Sequence, residues 1–217
     1  MMLSPEAVVE MELGGKSPEK VLAWIRGARR RLLELKLQAI SRDFYEEEQI
    51  CPSLQVQIDV QREYIMAAKE YYKKLGGEYM PSTNEIRKAE FEEAIPHIRE
   101  LSVEFAGDRS GGERRTFIRD GEAVKVIRDE LSFNEMKEFL EDVYDTWSWE
   151  DVLNVIRCCY LSEWKHKYVP RDIVVLDGDY WKVEIRYDNG LKKCKFEGSN
   201  CFPYSFRKFL TLLEWNI

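Results

Sequence analysis

The spacing of apolar residues changes near residue 96, and this change constrains the fold more than any other feature of the sequence. Between Ser17 and Pro96, apolar residues recur every three or four positions, which is the period of helices with one buried face. Beyond Pro96, Leu101, Val103 and Phe105 alternate with polar residues, as in a half-buried strand. The 217 residues suffice to bury a sizeable core. The sequence therefore predicts an α+β protein, with helices first and antiparallel strands with helices afterwards.

A long helix is predicted over residues 17–48, after a loosely docked arm at residues 1–16. Ser17 supplies the N-cap and Pro18 occupies the first helical position. Two neighbouring apolar stripes make its buried face wide. The first stripe contains Val21, Ile25, Ala28, Leu32 and Leu35, and the second contains Leu33, Leu37, Ile40 and Phe44.

A second long helix is predicted over residues 53–75, because Pro52 interrupts the first helical pattern and Gly76 ends the second. Two long helices joined by a short break are typical of an antiparallel helical hairpin. A capping-box pattern then begins a shorter helix at residues 82–96. We therefore expect residues 17–96 to form one helical region.

Residues 97–217 are predicted to form an α+β region. Asp120 and Gly121 form a dipeptide typical of a β-hairpin turn, flanked by strands. A second capping-box pattern predicts a helix over residues 132–145, and Ser148 is the expected N-cap of a helix over 149–164.

The last 45 residues or so predict a three-stranded meander followed by a helix. With a turn at Asn189-Gly190, a single register places apolar residues opposite each other on one face and opposite charges on the other. Residues 173–175 are the expected third strand, on the other side of the central one. The expected pairs are Ile185 with Cys194, Val183 with Phe196, Glu184 with Lys195 and Lys182 with Glu197. The final helix begins at Pro203 and carries Phe206, Phe209, Leu210 and Leu213 on one side.

The C-terminal sequence also resembles a pattern found in uncharacterised bacterial and mobile-element proteins. The residues that carry the resemblance follow W-x-V-x-I-x-Y-x-x-G from Trp181 to Gly190, then G-S-N-x-x-P-x-x-F from Gly198 to Phe206. The match covers about 40 residues. It implies a β-meander with a helix and no assigned chemistry.

The formal net charge of -7 is unevenly distributed along the chain. Residues 1–96 carry 14 basic and 17 acidic side chains, residues 97–150 carry 8 and 14, and residues 151–217 carry 11 and 9. An acidic protein repels phosphate backbones, so we expect no direct nucleic-acid binding. The cations of the last segment are predicted to make the outer face of the C-terminal sheet basic.

A weak catalytic alternative uses Asp172, Asp177 and Glu184. Carboxylates near a strand that also carries a basic residue can hold Mg²⁺ in a metal-dependent nuclease. The basic residue here is Arg186, which cannot readily act as a base. The predicted register also makes Glu184 an ion-pair partner, and Asp177 is an ordinary turn residue.

Two groups of residues are candidates for protein binding. Arg26, Arg29 and Arg30 cluster on the first long helix, where they suit an acidic partner or form a solvated face. Trp147 and Trp149 flank a predicted N-cap, where they either are partly exposed at an interface or belong to the core.

The sequence therefore favours a protein-binding accessory or regulatory protein. One form would be an inhibitor, similar in role to an anti-CRISPR protein, that a phage or mobile element directs at a host defence protein. A metal-dependent nuclease and a scaffold that self-associates through the helical hairpin are the alternatives. The five cysteines show no CxxC spacing, so we expect neither a metal nor another cofactor. With no signal-peptide pattern and no long apolar run, the expected location is the cytoplasm, of its own cell or of a host.

Overall fold

A computed structural model divides the chain into two compact units, Met1–Ser82 and Thr83–Ile217. The structure describes residues 3–41, 44, 50–107, 111–131, 136–140, 146–170 and 178–215. The architecture is α+β, as predicted, with long helices in the first unit and strands with helices in the second.

The first unit contains the predicted pair of long helices. A short helix α1 spans Pro5–Val8 and continues into a π-helical turn at Val9–Leu13. The long helices are α2, Pro18–Ile40, and α3, Leu54–Lys74. Their shared core contains Leu13, Val21, Ile25, Ala68 and Tyr72.

Two expectations for the first unit are wrong. In its described part, residues 3–16, the expected arm is not loosely docked, because Leu13 is fully buried in the core of the unit. The second apolar stripe of α2 is not buried either, since Leu33 is 57% exposed and Leu37 is 52% exposed. The predicted extension of α2 to residue 48 falls largely on 42, 43 and 45–49, which lie outside the described residues.

Within its described residues, the second unit is built on a seven-stranded sheet with the order β4-β3-β2-β1-β6-β7-β5. All neighbouring strands are antiparallel except β5 and β7. The strands are β1 (Ile98–Gly107), β2 (Gly111–Asp120), β3 (Ala123–Leu131), β4 (Met136–Leu140), β5 (Lys167–Tyr168), β6 (Tyr180–Tyr187) and β7 (Cys194–Ser199). The helices are α4 (Thr83–Ala94), α5 (Trp149–Cys158) and α6 (Phe206–Leu212), with 3-10 turns at Ile95–His97 and Leu161–Glu163.

The predicted register of the last hairpin is confirmed. Val183 pairs with Phe196, and Glu184 pairs with Lys195. The expected neighbour on the other side of β6 is wrong, because β1 occupies that edge and pairs Val103 with Val183. Residues 173–175 would need the same edge, and they lie outside the described residues.

Two helix predictions also differ from the structure. The expected helix over 132–145 is wrong where the chain is described, because Met136–Leu140 is a strand paired with β3. The helix preference that a capping box adds is small, and pairing with β3 outweighs it. Helix α5 begins at Trp149 with Ser148 as its N-cap, as predicted, and has a complete capping box, but it ends at Cys158. Tyr160 then adopts a left-handed backbone conformation, which no helix continues through.

An aromatic core covers the apolar face of β6 and β7. The Trp164 ring centroid lies 5.8 Å from that of Trp181 and 5.3 Å from that of Phe209. The Trp164 indole donates to Ser205 Oγ at 2.9 Å, and the Ser205 hydroxyl donates to the Cys159 carbonyl at 2.6 Å. These bonds satisfy the polar atoms inside an otherwise apolar core.

The C-terminal sequence pattern has a structural explanation. Trp181 donates through Nε1 to the Cys201 carbonyl at 2.8 Å. A Cβ on Gly198 would lie 2.5 Å from that same Nε1, so only glycine lets the indole pack on β7. Asn200, with a positive φ of 51°, accepts at Oδ1 from the Asp179 backbone N–H at 2.9 Å. These contacts fix the turn after β7.

Candidate protein-binding face

One side of α2 faces away from the core of the first unit and is exposed along most of the helix. We call it the outer face of α2. The helical period brings its members together, because they lie three or four positions apart. It consists of Ala23, Arg26, Gly27, Arg30, Leu33, Glu34 and Leu37, all of them exposed.

The cations of this face are weakly engaged within the unit. In the described part of the chain, the side chains of Arg26 and Arg30 make no hydrogen bond or ion pair with another residue. The acidic member, Glu34, contacts Arg31 at 3.5 Å, and both side chains are 52% exposed. A pair this exposed contributes little to stability, so its carboxylate is readily exchanged to another cation.

Arg29 belongs to the interior of the unit rather than to the outer face. Its guanidinium donates to Tyr79 Oη at 2.8 Å and to Ser82 Oγ at 3.0 Å. The Lys69 ammonium lies 4.3 Å from the centroid of the Tyr79 ring. The predicted arginine cluster thus separates into one structural residue and two exposed ones.

Gly27 stands in the middle of α2, where glycine is unfavourable. Glycine costs about 1 kcal/mol relative to alanine in a helix interior. Among the described residues, a Cβ at this position would meet no atom within 4 Å, so packing within this part of the unit does not require glycine. The outer face therefore contains a gap that the fold itself does not use.

The two tryptophans predicted as interface residues pack within the second unit. Trp149 is 3% exposed, and its indole donates to the Ile98 carbonyl at 3.1 Å. Of the two alternatives that the sequence left open, Trp149 follows the second: it belongs to the core, because the N-terminus of α5 packs on β1 around it. Trp147 is half-buried, with its ring stacked on Phe117 at a centroid distance of 6.5 Å.

Glu184 is held by lysines on the polar face of the sheet. Lys182 Nζ lies 2.9 Å and Lys193 Nζ 2.7 Å from its carboxylate. Partial burial acts to raise the pKa of Glu184, but the hydrogen bonds from these lysines outweigh it and lower the pKa to about 2. Asp172 and Asp177, its partners in the predicted metal site, lie outside the described residues.

The polar face of the sheet is more balanced than the sequence suggested. Strand β1, which no prediction placed beside β6, adds two carboxylates to this face. Glu104 accepts from Arg114 at 2.9 Å, and Glu100 lies 3.5 Å from Arg186. Lys195 also lies 2.7 Å from Glu197, so the carboxylates of β1 and of the hairpin offset part of the positive charge expected on this face.

Metal chemistry finds no support in the described part of the chain. Among residues 3–41, 44, 50–107, 111–131, 136–140, 146–170 and 178–215, no group of three His, Cys, Asp or Glu side chains could hold a metal ion. All five cysteines lie within the described residues, and none of them forms a disulfide bond. In the same residues, no helix has both the length and the apolar content needed to cross a membrane.

Sequence reasoning found the arginines of the outer face but missed its apolar members. Leu33 and Leu37 were assigned to the core because their spacing continues an apolar stripe. Gly27 carried a usable signal, since a glycine inside a strong helical pattern needs a packing reason or a functional one.

Comparison with protein-family models, with curated proteins and with solved structures finds no match.

Proposed function

We propose that this chain is a protein-binding accessory or regulatory protein that binds a partner through the outer face of α2. One observation carries the proposal: exposed Leu33 and Leu37 lie in line with the exposed cations Arg26 and Arg30. A helix that serves only its own unit presents polar residues to solvent. Leucines beside arginines suit a protein interface instead, with apolar contact at the centre and charge at the rim.

The charges of the face define the partner's chemistry. Two cations separated by one helical turn favour a partner surface with carboxylates next to an apolar patch. A narrower form of the proposal is an anti-defence inhibitor of a phage or mobile element, acting in the cytoplasm of a host. Its support is the acidic sequence of residues 97–150. In the structure, several of those carboxylates pair with arginines, which favours α2 over that segment as the contact.

A retention experiment tests the proposal. The tagged full chain is incubated with lysate of its native host, supplemented with untagged chain so that a second copy is among the candidate partners. Retained proteins are quantified by mass spectrometry for the wild type, for the double variant Arg26→Glu/Leu33→Ser, and for Val56→Ser. Val56 is 45% exposed on α3, so it provides a matched change away from the outer face.

The expected result is at least one protein retained by the wild type and by Val56→Ser but lost from the double variant. If all three retain the same proteins, the outer face of α2 is not a binding surface and the proposal fails.

A further inference from the structure

We propose that the partner of the outer face of α2 is α2 of a second copy, packed antiparallel across a two-fold axis. This inference rests on the proposed function, because it names an occupant for the same face. It goes beyond that proposal by specifying which residues of the two copies meet.

The spacing of the face fits a helix pair. Ala23, Gly27, Arg30, Glu34 and Leu37 are separated by alternating steps of four and three residues, and Ser41 continues the series. Such a repeat keeps a narrow seam facing a partner helix along its length. The backbone of Ser41 is still helical, with φ -81° and ψ -7°, so the seam extends to this residue.

An antiparallel arrangement centred between Arg30 and Glu34 makes the seam complementary to itself. Arg30 of each copy then faces Glu34 of the other, which gives two ion pairs related by symmetry. Leu37 of each copy faces Gly27 of the other. Ala23 faces Ser41, so small residues meet at both ends of the seam.

The fit of Leu37 to Gly27 accounts for two features that the isolated unit leaves unexplained. Leu37 is half exposed, and the position of a Cβ on Gly27 is open for at least 4 Å. Leu37 of one copy, inserted over Gly27 of the other, would fill that gap. Because Gly27 has no side chain, the two helices could approach closely at this point. In the complex, this contact would offset the stability that α2 loses by having glycine at position 27.

Other arrangements satisfy fewer contacts. A parallel pair would set Arg30 against Arg30 and Glu34 against Glu34. If one helix is shifted along the other by one step of the repeat, Arg30 lies over Gly27. A shift by one step in the opposite direction places Leu37 against Glu34. Of these arrangements, only the register centred between Arg30 and Glu34 brings the opposite charges together and also places Leu37 over Gly27.

The expected association is weak. Helix α2 has 23 residues, which gives it a length of about 35 Å. A single helix pair with a polar centre has a small interface, typical of transient association. We therefore expect a dimer that forms reversibly as the concentration of the chain rises.

Charge reversal tests the register. Sedimentation equilibrium is measured on the full chain from about 5 to about 500 μM for the wild type, Arg30→Glu, Glu34→Arg and the double variant Arg30→Glu/Glu34→Arg. Each single variant brings like charges together, and we expect the association constant to fall about tenfold. The double variant restores both pairs in reversed sense, and we expect recovery to within about threefold of the wild type.

A second pair of variants tests the leucine contact. Leu37→Glu should weaken association about tenfold, whereas Val56→Glu, an equivalent change at an exposed site of α3, should leave it unchanged. Circular dichroism confirms that each variant is folded.

A wild type that is monomeric at every concentration overturns this inference, as does a double variant that associates no better than the single ones. Neither result affects the proposed function, which fails only if the retention experiment finds no protein that depends on the outer face.

Discussion

The aromatic core of the second unit and the outer face of α2 place large apolar side chains in opposite surroundings. In the second unit, Trp164 and Trp181 are buried, and each indole N–H has a hydrogen-bond acceptor. In the first unit, Leu33, Leu37 and Met66 are exposed on long helices. Scattered exposed leucines are common on proteins. On α2, the exposed leucines align with exposed arginines and with a glycine that packing within the unit does not require. The proposed binding surface accounts for all three features together.

The charges show the same contrast. On the sheet, Glu184, Glu104 and Glu197 each lie within 3 Å of a cation. On the outer face of α2, Arg26 and Arg30 lack such a partner among the described residues. Substitutions in the sheet unit should therefore affect mainly stability, and those on the outer face mainly binding.

The largest effect on stability is expected for Trp181→Ala. The change removes a fully buried indole from the aromatic core and leaves the Cys201 carbonyl without its donor. We expect a loss of about 3–5 kcal/mol in the free energy of unfolding, measured by urea denaturation. A loss below about 1 kcal/mol would mean that this core is not the main source of stability in the second unit.

Ser205→Ala should have an intermediate effect. Ser205 is 1% exposed and is the acceptor for Trp164, so its removal leaves a buried indole N–H unsatisfied. The expected loss is about 1–3 kcal/mol. Ser205→Thr is the matched variant that keeps the hydroxyl group. A smaller loss in Ser205→Thr than in Ser205→Ala is expected, and a negligible loss in Ser205→Ala would contradict a contribution from the hydrogen bond.

Glu184→Gln should cost about 1–2 kcal/mol at neutral pH, because the lysines around it lose a charged acceptor. The wild-type pKa of about 2 is below the ordinary value of 4.5, so ionised Glu184 stabilises the folded state above pH 4.5. That stabilisation should be lost as the pH falls from 4.5 toward 2. Denaturation midpoints of the two proteins should therefore converge in acid, and a constant difference would contradict the shifted pKa.

The smallest effect on stability is expected for Leu33→Ser. Its side chain is mostly exposed, so the free energy of unfolding should change by less than about 0.5 kcal/mol. Retention of the partner should nevertheless fall. A loss of stability above about 1 kcal/mol would place Leu33 in the core of its unit and remove the contrast between the two units.

The sequence determined local pairing well and distant pairing poorly. The hairpin register of β6 and β7 could be predicted because one alignment satisfied the apolar and the charged face together. The pairing of Val103 with Val183 could not, since nothing in either strand specifies a neighbour far away in the chain. The strand at Met136–Leu140 was missed for a related reason, because its partner, β3, decides its conformation.

The candidate site was predicted in part. Arg26 and Arg30 were recognised from their charge and spacing. A continuous apolar stripe does not reveal where burial stops, and so Leu33 and Leu37 were assigned to the core. Arg29 was grouped with its neighbours, although a difference of one position turns a side chain by about 100° around a helix.

Gly27→Glu provides the most direct measurement of the central claim, which is that the outer face of α2 is reserved for α2 of a second copy. Urea unfolding at about 2 μM reports the free chain, and sedimentation equilibrium reports self-association. We predict that stability rises by about 0.5–1 kcal/mol, since glutamate is a better helix former and the site is open, while association weakens about tenfold. A fall in stability, or unchanged association, would contradict the account.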